Sequence, residues 1–310
     1  MMKKQIRKAM ICTIAMMVAA IVSLTGVTYA WFSESDSADV TGLNMDVVAS
    51  EGGVYISTDG YDLDSFTTSV ALDAGTDKYS PVSTAGDYSE AGYLKFFSGS
   101  LEAPKDPTIK IKEVARGDKK GAYVEEDIYF DNSMGTAPIT ISLEGTLIVP
   151  MPVTEGAATK PINLATRVAV VTRGSLLQSE ILEGKTYDHT PVSLQIYEND
   201  AKLHTTSGIL EYEKLDSEAK ATDKFDTYAL KATTTAAEDE AGGINRFAKS
   251  DTTHLKKMTT VSDASAIEIV VPAGSYLKTT IYVWIEGQDA DCQNDVSGQK
   301  FNAAIKFTLA

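Results

Sequence analysis

Alternation of apolar side chains at every second residue limits what this chain can fold into more than any other feature. In Lys300–Leu309, every second residue is apolar, whereas a helix would repeat its apolar positions every 3.6 residues. Side chains spaced in this way share one face of an extended strand. The apolar positions of this segment are Phe301, Ala303, Ile305, Phe307 and Leu309.

A second strand is predicted over Tyr276–Glu286, with Tyr282 and Trp284 on one face. Because both faces are apolar near its end, we expect a central strand of a sheet. A third strand, Ile267–Val271, is closed by the turn signal at 272–274. The opposite face of the second strand carries Leu277, Thr279, Ile281, Val283 and Ile285.

Most of the earlier strand candidates are bounded by Gly, Pro, Asn or Asp, which are turn-forming residues. Many short strands at this spacing predict an all-β fold of the jelly-roll or β-sandwich type. These candidates are Val40–Val48, Val54–Ile56, Tyr93–Phe97, Thr108–Val114, Tyr123–Phe130, Ile139–Val149, Ile162–Val171 and Val192–Tyr197.

Two polar stretches interrupt this pattern. Gly60–Ala91 is rich in Asp, Ser, Thr and Gly and predicts a long surface excursion. Asn199–Thr260 predicts a polar, partly helical or irregular insertion, or alternatively a small accessory lobe. The expected organisation is a signal peptide (1–30), an N-terminal arm or first strand (31–48), and a β-sandwich domain over 49–310 with an insertion at about 199–260.

The charge balance excludes partners that are themselves strongly negative. The 310 residues carry a net charge of −15. The first thirty residues hold four basic side chains and no acid, so the rest of the chain carries 24 basic against 43 acidic side chains, a net charge of −19. A surface this acidic repels nucleic acid and anionic lipid.

The N-terminus has the organisation of a secretory signal peptide. Met1–Lys8 is basic, the following stretch to Leu24 is almost wholly apolar, and small residues precede a cleavage site between Ala30 and Trp31. The alternative is an uncleaved anchor, because the charge-free stretch Ala9–Ser33 is long enough to span a bilayer. Either way, membrane contact is expected only through the leader, and the protein is expected to be secreted, extracellular or at the cell surface.

The residues after the cleavage site resemble the start of the TasA/camelysin family of Gram-positive bacteria. The stretch Ala30–Val47 has an aromatic residue at the processing site, then a polar run rich in Ser and Asp, then the strand-like Gly42–Asp46. The run Tyr282–Cys292 is similar to a pattern in clostridial secreted proteins. The resemblance implies processing by a SipW-type signal peptidase and a jelly-roll subunit of extracellular fibres or biofilm matrix.

The resemblance also implies head-to-tail self-assembly, in which the N-terminal segment inserts as a strand into the next subunit. A flexible arm can fill an exposed sheet edge, with alternate side chains giving specificity. Val40 is out of phase with the later anchors, so a bulge near Gly42 would be needed. The alternative is that Val40–Val48 is the first strand of its own domain. The candidate anchors are Val40, Leu43, Met45 and Val47.

Two acidic clusters are candidate calcium sites, because calcium prefers several oxygen ligands from one turn. Calcium is the only cofactor that the sequence suggests, and neither cluster matches the twelve-residue loop of an EF-hand. The alternative is that both are solvated acidic loops. The clusters are Asp59, Asp62 and Asp64, and Asp289, Asp291 and Asp295.

The mature chain would hold a single cysteine, Cys292, since Cys12 lies in the leader. A lone cysteine allows an intermolecular crosslink or simple burial at a strand end, but no internal disulfide. The sequence also permits covalent Lys–Asn isopeptide bonds without singling out any pair.

No enzymatic activity is expected. The three histidines are dispersed through predicted loops, and neither H-E-x-x-H nor G-x-S-x-G occurs. Resemblance to camelysin makes a metallopeptidase a third reading. The second reading is a cell-surface carbohydrate-binding or adhesin module, based on tyrosines clustered near the first polar stretch. These are Tyr55, Tyr61, Tyr79, Tyr88 and Tyr93.

Overall fold

The computed structural model describes most of the chain after its first 43 residues. The described ranges are 44–49, 54–72, 79–101, 109–151, 162–198, 260–287 and 300–310.

Strands dominate the described residues, which confirms the predicted all-β class. One short helix, α1 (Gln178–Leu182), and three single turns of 3₁₀-helix interrupt them. None of the helices in this part of the chain is long and apolar enough to cross a membrane. The strands are β1 (Asn44–Ala49), β2 (Tyr55–Ser57), β3 (Ser69–Leu72), β4 (Phe96–Leu101), β5 (Ile109–Val114), β6 (Tyr123–Asn132), β7 (Ile139–Ser142), β8 (Leu147–Met151), β9 (Thr166–Leu177), β10 (Ser193–Glu198), β11 (Ile269–Val271), β12 (Ser275–Ile285) and β13 (Lys300–Leu309).

Two sheets face each other and form a sandwich. The first has the order β11-β7-β13-β1-β3, with β8 also paired to β13. The second has the order β10-β9-β12-β6-β2 and is antiparallel throughout. A separate two-stranded sheet, β4-β5, lies outside this pair.

The segment predicted as one strand, Ile139–Val149, is two strands on the same side of β13. β7 pairs with the end of β13 and β8 pairs with its start. The turn between them includes Gly145 at a positive φ of 84°, a conformation that costs other residues steric strain. The prediction placed the strands correctly and missed this turn.

The main core fills the space between the two sheets. Phe301, Ala303, Ile305 and Phe307 of β13 are buried there, as the alternation predicted. The inward face of β12 meets them from the opposite sheet. Each fully buried side chain of this kind contributes about 1.5–3 kcal/mol, so this apolar face is the chief stabilising element.

A third layer covers the outer face of the second sheet. Tyr282 and Trp284 of β12 point into this layer and pack with Phe96, whose ring lies 5.3 Å from that of Trp284. The predicted surface excursion Gly60–Ala91 is therefore wrong in its second half, and Ser69–Leu72 in its first half is the strand β3 rather than a loop. Val82 of that segment is 1% exposed and accepts and donates backbone hydrogen bonds beside β12.

The predicted insertion Asn199–Thr260 lies outside the described residues except at its last position. Its two flanks meet: the N–H of Glu198 donates to the carbonyl of Val261 over 3.1 Å, and Thr260 Oγ1 donates to Glu198 Oε1 over 2.7 Å. The two flanks of the insertion therefore lie side by side in the described part of the sandwich.

Replacing 199–259 by a short Gly-Ser linker should leave the sandwich folded. Shortening this connection about tenfold lowers the loop-closure cost by roughly 2 kcal/mol, so the unfolding midpoint should stay level or rise. Differential scanning calorimetry measures this. A variant that leaves 199–259 in place and carries Ile305→Ala is the destabilised control, expected to lose about 2–5 kcal/mol. A deletion variant that unfolds as easily as this control would show that the insertion holds the fold together.

Candidate functional site

The position of β1 within its sheet is the first feature with functional meaning. β1 lies between β13 and β3, so both of its edges are paired. It runs parallel to β13, and this is the sole parallel pairing between named strands in the described ranges. Because β1 is the first described strand, the chain connections among the other described strands do not pass through it.

We call the space between β13 and β3 that β1 occupies the slot; its two sides offer β1 both apolar contacts and backbone hydrogen bonds. On one side, Ile305 and Phe307 of β13 are fully buried, and the Phe307 ring meets that of Phe130 edge-on at 4.8 Å. On the other side, Val70 of β3 packs against the same core. Without a strand in the slot, the backbone groups of β13 and β3 that face it would lose their partners, and an unpaired edge of this kind captures strands.

The structure places two of the four predicted anchors in this strand. Met45 is the register partner of Ala303, and Val47 is the register partner of Ile305. Ala303 and Ile305 are fully buried. Val40 and Leu43 lie outside the described residues, as do the cleavage site at Ala30 and Trp31 and the predicted bulge.

In the single chain, β1 pairs within its own domain. This is the arrangement expected if the N-terminal segment is the first strand of its own sheet. It is also the arrangement expected of a donor strand that pairs internally until assembly, since both readings place the same residues in the same slot. Distinguishing them requires an experiment on assembly.

The first predicted calcium cluster forms a compact turn after β2. Asp59 Oδ1 accepts hydrogen bonds from the N–H groups of Tyr61 and Asp62 over 3.0 and 3.4 Å, and Asp62 Oδ1 accepts from the N–H of Asp64 over 3.1 Å. Two of the three carboxylates thus bond the backbone of their own turn. Among the described residues, no group of three His, Cys, Asp or Glu side chains is arranged to hold a metal ion. Calcium binding remains a prediction.

The remaining predicted site residues are not described. Asp289, Asp291, Asp295 and Cys292 fall in the range 288–299, outside the described residues. The calcium and crosslinking hypotheses for them stay predictions.

The tyrosines behind the glycan-binding alternative do not form one surface. Tyr79 is buried in the main core at 3% exposure, and Tyr88 and Tyr93 are half-buried. Tyr55 and Tyr61 are each 47% exposed. Five tyrosines close together in the sequence are therefore divided between the core, the third layer and the surface.

A row of buried charges on the outer face of the second sheet is the feature that sequence reasoning missed. The side chains of Arg167 and Glu198 are 1% and 0% exposed and form an ion pair at 2.5 Å. Further along the same face, Arg173 and Lys278 are both 2% exposed. The signal was present in β12, where Lys278 and Thr280 share a face with Tyr282 and Trp284 and directly precede them on it.

Lys278 lies at the centre of a small polar cluster. Its Nζ is 2.6 Å from Asp127 Oδ2 and 3.2 Å from His189 Nδ1. Thr280 Oγ1 donates to Asp127 Oδ1 over 2.7 Å and accepts from Arg173 Nε over 2.6 Å. The cluster therefore joins β6, β9 and β12 to the segment before β10.

Backbone carbonyls and an aromatic ring complete the surroundings. The Arg173 guanidinium donates to the carbonyls of Gly92 and His189. Tyr93 lies beside the cluster. The Arg116 guanidinium is 3.5 Å from the centre of the Tyr93 ring, and the Tyr93 hydroxyl is 3.4 Å from His189 Nδ1. Most polar atoms here have partners within the chain, so the cluster is held in one arrangement.

Burial sets the protonation behaviour of this cluster. Removal from water lowers the pKa of Lys278 below its ordinary 10.5, although the contact with Asp127 opposes the shift. Burial, and then the positive charge of Lys278, lower the pKa of His189 below 6.5. At neutral pH, His189 is therefore uncharged and its ring nitrogen can accept a hydrogen bond or a proton.

No protein-family model, curated protein or solved structure matches this chain. The functional argument therefore rests on the residues and their arrangement. The relation to the TasA/camelysin family remains a prediction.

His189 should make the folded state sensitive to acid. Because its pKa is lower in the folded protein than in the unfolded chain, the unfolded chain binds more protons once the pH falls below about 6.5. The free energy of unfolding should therefore fall from pH 7 to pH 5 by more in wild type than in His189→Gln. Urea denaturation across this range measures the difference, with pH 8 as the reference at which both the histidine and its glutamine replacement are uncharged. Equal pH slopes would show that His189 titrates alike in both states.

Proposed function

We propose that this protein is a secreted structural subunit that assembles into extracellular fibres or matrix by donating its N-terminal strand to the next subunit. The observation that carries the proposal is the slot between β13 and β3, filled by the first described strand. The basic and apolar leader supports secretion, with a SipW-type signal peptidase as the processing partner.

The pairing of β1 suits exchange of this strand between subunits, because a donated β1 makes the same contacts in the neighbouring subunit as in its own. Strand exchange between identical subunits therefore changes the free energy little, and connectivity decides whether the strand is used internally or donated. Head-to-tail donation gives an open, heterologous contact, which grows into a filament rather than a closed ring when the rotation does not close.

The internal strand also explains why a subunit could remain single until assembly. A tethered strand occupies its own slot at a high effective concentration, of the order of millimolar for short flexible linkers. The barrier to polymerisation is then the release of β1, which breaks backbone hydrogen bonds on both of its edges. Keeping β1 in place should keep the protein monomeric.

A disulfide between β1 and β13 tests the proposal directly. Asp46 is the register partner of Ala304, which is exposed. Asp46→Cys with Ala304→Cys, in a Cys292→Ser background, should give an oxidised monomer that forms no filaments. Reduction should restore them, and oxidation after assembly should give disulfide-linked ladders on a non-reducing gel. The Cys292→Ser chain without the new pair is the control. Oxidised, internally linked monomers that polymerise normally would refute strand donation.

Deletion of the N-terminal arm provides a second, independent test. A chain lacking 32–48 should form no polymer in negative-stain electron microscopy or sedimentation, while a synthetic 32–49 peptide should bind it and raise its unfolding midpoint. A Val47→Asp peptide should bind at least about 100-fold more weakly, because its partner Ile305 is fully buried and a charge there costs several kcal/mol. Val48→Asp is the matched control, since its partner Lys306 is exposed.

The contrary outcomes separate the two readings of β1. A truncated chain that polymerises as before would exclude donation by this strand. Equal binding of the Val47→Asp and Val48→Asp peptides would show that the peptide does not enter the slot in the observed register.

The alternative function is a cell-surface carbohydrate-binding or adhesin module. The exposed rings of Tyr55 and Tyr61 are the observation in its favour. This alternative expects a monomer under all conditions, including added calcium, and a glycan-array signal that is lost in a Tyr55→Ala, Tyr61→Ala chain. A metallopeptidase remains the third reading.

A further inference from the structure

A lysine amine and an aspartate carboxyl group contact each other across two central strands of the second sheet. In the β12–β6 register, Thr280 is opposite Asp127 and Lys278 is opposite Tyr129. Lys278 and Asp127 are therefore diagonal neighbours on the same face. Lys278 Nζ is 2.6 Å from Asp127 Oδ2, so a small rotation of either side chain brings the nitrogen to the carboxyl carbon.

The amine is held away from water. The Lys278 side chain is 3% exposed, and the Tyr129 ring centre lies 5.7 Å from Nζ. Burial and the nearby guanidinium groups of Arg173 and Arg116 disfavour the ammonium form and lower the pKa of Lys278. An uncharged amine is a nucleophile, whereas an ammonium group is not.

The carboxyl group has a hydrogen-bond donor on the oxygen that the amine does not contact. Thr280 Oγ1 donates to Asp127 Oδ1 over 2.7 Å, and Arg173 Nε donates to the same hydroxyl over 2.6 Å. A donor fixed in this position stabilises the negative charge that develops on Oδ1 when a nucleophile adds to the carboxyl carbon.

A proton acceptor lies beside the amine. His189 Nδ1 is 3.2 Å from Lys278 Nζ, and the lowered pKa of His189 leaves its ring neutral at pH 7. A group within hydrogen-bond reach of the nucleophile and uncharged at working pH meets the requirements for a general base. The four side chains around Asp127 thus supply a nucleophile, an oxyanion donor and a base.

We propose that Lys278 and Asp127 condense to an intramolecular isopeptide bond that links β12 to β6. A proton passes from the ammonium group to the carboxylate, which gives a neutral amine and a carboxylic acid. Nζ then bonds to the carboxyl carbon, His189 takes a proton from Nζ and returns it to Oδ2, and the bond between that carbon and Oδ2 breaks. One water leaves, nothing is oxidised or reduced, and no co-reactant is needed.

The location of the bond favours its formation and gives it a structural effect. The amine and acid are held at contact distance by two strands, so the reaction does not have to bring separate groups together. β6 and β12 lie in the middle of the sheet, so an amide there would tie together strands that must separate for global unfolding. This inference does not rest on strand donation, because neither residue belongs to the first sheet.

An exposed ion pair in the same chain serves as the internal control. Lys185 Nζ is 2.9 Å from Glu180 Oε1, and the acids of the two pairs are alike in exposure, 28% for Glu180 and 27% for Asp127, whereas Lys185 is 54% and Lys278 is 3% exposed. The hydrogen bond with Glu180 raises the pKa of Lys185 and favours its ammonium form, whereas burial lowers the pKa of Lys278. Contact distance is similar in the two pairs, so burial and the surrounding groups are the difference between them.

Peptide mapping of the purified full chain by mass spectrometry tests the proposal. The expected result is a crosslinked species in which the peptide containing Asp127 is joined to the peptide containing Lys278, with a total mass lower by one water. Trypsin should fail to cut after Lys278, because an acylated lysine is not a trypsin site. Lys185 and Glu180 should remain unlinked. Recovery of Asp127 and Lys278 only in separate, unmodified peptides would overturn the proposal.

Single substitutions assign the roles of the residues. Lys278→Arg keeps the positive charge and should abolish the mass loss, as should Asp127→Ala. A water loss that persists in Lys278→Arg would place the modification elsewhere and refute the assignment. In chains refolded from inclusion bodies that have not yet crosslinked, Thr280→Val and His189→Gln should slow crosslinking by about 100-fold, whereas a purely structural role would leave the rate unchanged. Circular dichroism of each variant establishes that it is folded.

Discussion

The burial of β12 on both faces is the constraint on which the rest of the structure depends. All eleven residues of this strand are buried, between β9 on one side and β6 on the other. Its inward face contacts β13 and the main core, and its outward face requires a third layer to cover Tyr282 and Trp284. The segment that contains Val82 and Phe96 supplies that layer. This explains why part of the polar stretch Gly60–Ala91 is buried.

Burying a strand that contains Lys278 and Thr280 creates an electrostatic requirement. A charged group removed from water must find partners or lose its charge. Here Asp127, His189 and Arg173 come from three other segments to meet the two side chains. The proposed condensation is an extreme solution to the same problem, because an amide carries no charge and leaves neither an ammonium nor a carboxylate to be solvated.

The first sheet has a different character because β1, which lies between β13 and the edge strand β3, is the first strand of the described chain. β13 and β3 each pair with one edge of β1, and Ile305 and Phe307 of β13 are fully buried beside it. The second sheet is fixed by aromatic packing and buried charges, whereas the first depends on an N-terminal segment.

Much of the strand order along the chain could be predicted from the sequence because a two-residue period is a local property. The sequence pattern located β13, β12 and β10 to within a few residues, and Tyr282 and Trp284 indicated that β12 would be central. It missed β3, which lies inside a polar stretch, and it ended β9 six residues early. The apolar period predicted that Ile305 and Phe307 would be buried. The split of β7 from β8 was missed, because a single turn at Gly145 interrupts a run that is apolar on both sides.

What the sequence could not supply is which distant segments meet. The parallel pairing of β1 with β13, the closure of the two flanks of the insertion at Glu198 and Val261, and the approach of Asp127 and His189 to Lys278 all join residues far apart in the chain. By itself, the sequence determined the all-β class and the buried faces of the main strands, since these follow from local periodicity and composition. The tertiary structure alone decided the slot around β1 and the cluster around Lys278, because non-local contacts arise from the packing of whole sheets.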